Sequence, residues 1–358
     1  MSNLDNEQNT QFMDVADYER LLAYSKIVIN PETGLVVFEP LKGFEELISN
    51  LVEKNNLKSL SMQQFKELDY KYRPMYQAKK KIREKNIKDF EEMSVDEVAK
   101  LPLDRKIEYV ESLFFIGQTK KELFETCTNS GEKLKALLHN ITFPKEFWEN
   151  EEKLAGRFAN LVSQDHKIVN NMKNWHNISL DKKKATIAET AKIIEYIYGS
   201  SLEIGFYTSE EYRKKNNLKE DVPVYGAYAS KGKIFFNTDR LADDNFMGVS
   251  VLFHEFMHKR QSEADFENQI VKRLFKTAVY NAFTYEQQNI DPASYEYGDF
   301  YSIIPQEVHA YGMQKFVESK IIEKTGIEKT QETASKTIRQ IHEKSFAVAA
   351  IARYKSKQ

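Results

Sequence analysis

His254 and His258 stand four residues apart, with Glu255 directly after the first, in the run Val249-Ser-Val-Leu-Phe-His-Glu-Phe-Met-His258. Val249, Leu252, Phe253 and Phe256 fall at i, i+3, i+4 and i+7, the spacing of a buried stripe on a single helix. On such a helix, side chains four apart leave neighbouring turns of one face, so both imidazoles can reach one metal ion. Glu255, about 100° further round, is set to approach a water on that metal rather than the metal itself. This is the H-E-x-x-H arrangement, in which two His hold zinc and the Glu acts as general base. A solvated His-Glu pair on an amphipathic helix is the plainer reading. The apolar run before the motif and the Phe-Met between the two His weigh against it.

Two imidazoles do not complete a zinc site, so the chain must supply a third ligand. Pro305 is suited to the first turn of a new helix, and Val308, Tyr311 and Phe316 supply part of its apolar face. Glu307 lies in that first turn near small Ala310, which would let this helix approach the metal helix closely. A Glu there also has an ordinary role, complementing the positive end of the helix dipole. Periodicity therefore leaves the third ligand open among Glu307, His309, Glu263, Asp265 and His342. Glu307 and His309 are two apart and face different directions on a helix, so only one of them is expected to bind.

These residues need a scaffold. Ser179 can cap a helix over residues 181–198 that Gly199 stops. Residues 202–207 alternate like a strand, and residues 222–237 read as two strands joined at Ser230-Lys-Gly-Lys. One helix, about three strands and then the H-E-x-x-H helix make a coherent small domain. Upstream, residues 13–26 read as a short helix and residues 27–38 as a hairpin around Pro-Glu-Thr-Gly. Ser94–Glu97 and Thr119–Glu122 look like capping boxes opening further helices. Beyond Gly326, Ile338, Ile341, Phe346 and Ala349 have the spacing of a last amphipathic helix. The fold class expected is α+β, mainly helical. Residues 1–12 read as a disordered tail, 13–175 as a mostly helical domain and 176–358 as the domain of the metal motif.

With 358 residues, two domains are the natural division. A formal net charge of −2 gives no global argument for nucleic-acid or membrane binding. The single cysteine, Cys127, excludes an internal disulfide, fits a reducing compartment and is expected to be buried and structural. No stretch approaches the roughly 18 apolar residues that span a bilayer, and the polar start resembles no signal peptide. The cytoplasm is the expected location, by default. Lys71–Lys85 is the one basic cluster with aromatic residues interleaved, read as the solvated face of a helix.

The segment from about Tyr225 to Phe316 resembles the zincin-like metallopeptidase domains of the gluzincin type, above all compact versions found in antirestriction and polyvalent proteins of plasmids and phages. The likeness rests on Gly226-Ala-Tyr, Lys233-Ile-Phe-Phe-Asn, Phe253-His-Glu-Phe-Met-His and Tyr301-x-x-x-Pro-x-Glu307-x-x-Ala310. It implies that His254, His258 and Glu307 bind one zinc ion per chain and that Glu255 is the base. The pattern departs from protease versions at Lys259-Arg260, where those carry uncharged or apolar residues. No residue matches the family's oxyanion-stabilising group outright. Tyr311 and His309 are the candidates for that role or for a supporting place behind the ligands, with Tyr295, Tyr297 and Tyr301 as further possibilities. The activity implied is a zinc metallopeptidase acting on a selective protein or peptide substrate. The competing expectation is a non-catalytic protein- or nucleic-acid-binding protein of mobile-element type in which the zincin domain is structural.

Overall fold

The computed structural model describes residues 13–328, apart from residues 43, 116, 119, 140, 142, 217–226, 231–232, 242–243, 264–265 and 277–303. Several expectations lie outside that set: the polar tail, the box at Thr119, Tyr225 and Gly226, Asp265, the tyrosines at 295, 297 and 301, His342, and the helix beyond Thr330. The side chain of Cys127 lies outside it too. The described residues are mainly helical and fall into two compact units. No described helix is long and apolar enough to cross a membrane.

The first unit comprises the described residues up to Val98 together with Glu108–Gly131. It opens with α1 (Val15–Tyr24), then the antiparallel strands β1 (Ser25–Ile29) and β2 (Val36–Pro40). Asn30 Oδ1 accepts from the backbone N–H groups of Glu32 and Thr33 in the connecting turn. Gly34 completes that turn at φ +68°, where a side chain would be strained. Next come α2 (Glu45–Lys54) and the long α3 (Met62–Glu92), which starts at a capping box between Ser61 and Gln64. Tyr18, Leu21, Phe38, Ile48, Leu51 and Tyr72 form the buried centre of this unit. The basic cluster lies on α3, and much of its charge is matched locally. Arg73 pairs with Asp69, Lys80 with Glu84, and both Lys79 and Arg83 with buried Glu19. The helices α4 (Val95–Lys100), α5 (Leu103–Leu113) and α6 (Lys120–His139) follow, with Ser94 and Glu97 closing the expected box at the start of α4.

The second unit comprises Ala99–Ile107 and the described residues from Glu132 onward. It holds α7 (Lys145–Gln164) and α8 (His166–Lys173), which precede the boundary expected at 175, then α9 (Leu180–Tyr198). The remaining elements are β3 (Glu203–Tyr207), α10 (Ser209–Asn216), β4 (Ala227–Ser230), β5 (Lys233–Asn237), α11 (Leu252–Glu263), α12 (Gln269–Lys276) and α13 (Pro305–Thr325). Ser179 and Gly199 cap α9 as expected, Gly199 in the left-handed conformation. The sheet order is β3-β5-β4, with β5 parallel to β3 and antiparallel to β4.

The sequence suggests one uninterrupted helix from Val249 to His258, and here the structure differs. Met247–Val251 is a π-helical turn, and the α-helix begins only at Leu252. Two contacts hold this turn. Gly248 lies so close to α9 that a Cβ would stand 2.9 Å from the Ile187 side chain. Ser250 donates its hydroxyl to buried Glu318 of α13 at 2.8 Å. Beyond the turn the apolar stripe is buried as expected: Leu252, Phe253 and Phe256 are fully covered. Phe253 stacks on Phe158 of α7 at 4.7 Å, and Phe256 meets Tyr198 of α9 edge-on at 4.8 Å. Phe253→Ala should therefore cost about 3–5 kcal/mol of unfolding free energy, through lost burial and the cavity left behind. Denaturant titration measures this directly.

A second difference concerns α13. Expected to be amphipathic, it is buried on every side from Pro305 to Gln314, because α7, α11 and α12 all pack against it. Its polar residues consequently face protein, and most are answered there. Gln306 donates to the Leu274 carbonyl, His309 meets Glu151, and Gln314 donates to Glu318.

Candidate metal centre

α11 and α13 bring His254, His258 and Glu307 together. They are the one group of three or more potential ligands found among the described residues, with donor atoms all within 4.8 Å of one another. His254 Nε2 and His258 Nε2 are 3.1 Å apart. Glu307 Oε1 lies 3.2 Å from His258 Nε2, and Oε2 lies 3.5 Å from His254 Nε2. Metal–ligand bonds of about 2.0–2.1 Å at tetrahedral angles place neighbouring donors roughly 3.3 Å apart. The three separations bracket that value.

The chemistry of the donors points the same way. Glu307 has 0 % of its surface exposed, and among the described residues its two carboxylate oxygens face the two imidazoles, at 3.2 and 3.5 Å. A buried carboxylate carries a large desolvation penalty unless a positive charge compensates it. In the protein alone a proton partly fills that role. Burial pushes the His258 imidazole down, but the Glu307 carboxylate, with smaller help from Glu255 and Gln261, outweighs it and raises His258 to about 9. Two imidazoles and one carboxylate in such a cluster suit zinc.

The other expected residues have distinct places. Glu255 is 9 % exposed, beside the ligands, and its charge acts on His258. Tyr311 packs its ring against His254, with centroids 4.4 Å apart. His309 is fully buried, and both of its nitrogens are engaged: Nδ1 with Gln261 at 2.9 Å and Nε2 with Glu151 at 3.3 Å. It is not in the ligand group. Glu263 is solvent-exposed and pairs with Lys259, outside the ligand group.

Three neighbouring residues were not foreseen from the sequence. Gln261 Oε1 is 3.1 Å from His258 Nδ1. Buried Glu151, on α7, receives Arg260 at 2.6 Å as well as His309. Burial alone would raise the Glu151 carboxyl. The hydrogen bond from His309 and the Arg260 charge outweigh it and hold Glu151 below the usual carboxylate range. Burial, reinforced by the Arg260 charge, keeps His309 below the ordinary imidazole value. Arg260 also lies over the rings of Tyr198 and Phe266. Lys259-Arg260 thus has local work: Lys259 reaches Glu263, and Arg260 pairs with Glu151.

No family model, no curated protein and no solved structure matches this chain.

Proposed function

We propose that the chain is a zinc-dependent peptidase, with His254, His258 and Glu307 as ligands of one zinc ion and Glu255 as general base. On this reading the second unit is a compact zincin-like domain. The observation that carries the proposal is the convergence of two imidazole Nε2 atoms on a fully buried carboxylate, with all donor atoms within 4.8 Å of one another. Among the described residues three protein ligands come together rather than four, the number typical of a catalytic zinc site rather than a structural one.

Zinc, when bound, supplies Lewis acidity, polarising a carbonyl and bringing the pKa of a water towards about 7. Glu255 accepts the proton of the attacking water and returns it to the leaving amine. Tyr311 holds the His254 ring from one side. Protein or peptide is the substrate class that follows from the family likeness, and the second unit contributes every residue named in the reaction.

The test is elemental mass spectrometry of the purified protein, joined to mass-spectrometric detection of cleavage in a peptide library. One zinc per chain with cleavage is the expected result. A freshly prepared protein that carries no zinc and takes none up would defeat the proposal.

A pH dependence follows. Because His258 holds its proton up to about 9, zinc uptake at neutral pH must displace it. Zinc affinity should therefore rise about tenfold per pH unit between roughly 7 and 9. Titration calorimetry in buffers of different ionisation enthalpy should register about one proton released per zinc at pH 7. A pH-independent affinity would show that His258 carries no proton for zinc to displace at neutral pH.

A further inference from the structure

Behind His258 runs a chain of hydrogen bonds whose direction is forced from both ends. Gln261 Nε2 lies 2.9 Å from the Gln306 carbonyl oxygen, which can only accept, so the amide nitrogen of Gln261 is fixed there. That nitrogen also meets His309 Nδ1 at 2.9 Å, so His309 Nδ1 accepts. His309 must then carry its proton on Nε2 and donate it to Glu151 Oε2, the oxygen to which Arg260 also donates. With its nitrogen so placed, Gln261 presents Oε1 to His258 Nδ1, which has to donate. Only Nε2 of His258 is left to face Glu307 and His254.

We propose that Gln261, His309 and Glu151 are positioning residues that lock His258 in the Nδ1–H form and so reserve its Nε2 for the metal. The inference rests on the zinc reading above and deepens it. It makes Glu151 of α7, more than 100 residues upstream of the motif in the chain, part of the metal centre. Here the two fixed acceptors, a backbone carbonyl and a carboxylate, leave one arrangement of protons.

The experiment uses the full chain and zinc alone, with dissociation constants from competition against a chromophoric chelator. Gln261→Leu keeps the volume and removes the acceptor; its zinc Kd should rise about 10–100-fold. Glu151→Leu should raise it about tenfold, whereas Glu151→Gln, whose amide oxygen still accepts from His309, should stay within about threefold of wild type. A merely structural role predicts the opposite order, since Leu fills a buried site at least as well as Gln. In the zinc-loaded wild type, NMR should show a slowly exchanging Nδ1–H resonance from His258 that is lost in Gln261→Leu. That wild-type signal decides the matter even if a variant does not fold: its absence overturns the proposal. Unchanged Kd values in folded Gln261→Leu or Glu151→Leu also overturn it, while zinc binding by wild type stands. Failure of wild type to bind zinc would instead overturn the reading beneath it.

Discussion

Glu255→Gln, loaded with zinc, is expected to cleave peptides about 10²–10⁴-fold more slowly than wild type while keeping one zinc per chain. The substitution preserves shape and hydrogen-bonding capacity but removes the basicity that takes a proton from water. Glu255 sits between the two ligands in sequence and is not in the ligand group, so the metal should stay. Initial rates by mass spectrometry and metal content by elemental analysis, on the same preparation, separate the two effects. Substantial turnover by the variant would remove Glu255 from the chemistry. Loss of the metal would make it a ligand or a prop instead.

The second large effect should come from Glu307→Ala, which is expected to abolish stoichiometric zinc binding and with it all cleavage. Wild type held at a zinc concentration 100-fold above its Kd gains about 2.7 kcal/mol of folding stability by mass action. The variant should show no zinc-dependent rise in melting temperature. A variant that binds zinc with wild-type affinity would exclude Glu307 as a ligand and require a donor outside the described residues.

The legible parts of this molecule were those with short-range signals. His254, Glu255 and His258 declared themselves by spacing, Ser179 and Gly199 by cap chemistry, and β3 by alternation. Glu307 was readable as a first-turn Glu on a Pro-started helix, but its periodicity left it one candidate among several. What singles it out is tertiary: burial from three sides by α7, α11 and α12, which no local pattern encodes. Gln261 carried a usable signal, standing three residues after His258 and therefore on its face. Glu151 carried none. Its role arises because α7 packs along α13, a contact between positions 158 residues apart in the case of His309. The amphipathic reading of α13 failed for the same reason, since helical periodicity presumes one wet face and this helix has none over its first ten residues.

The π turn at Met247–Val251 has a consequence for how this stretch of gene can change. One residue more than an α-helical turn rotates everything upstream of Leu252 by about 100° relative to the ligand-bearing face. That surplus lets Phe246 and Met247 be buried while His254 and His258 keep their own direction. Deleting one codon there would leave the metal motif intact, letter for letter. It would also turn Gly248 away from Ile187 and Ser250 away from Glu318, so the spacing between the sheet and the motif is as constrained as the motif itself.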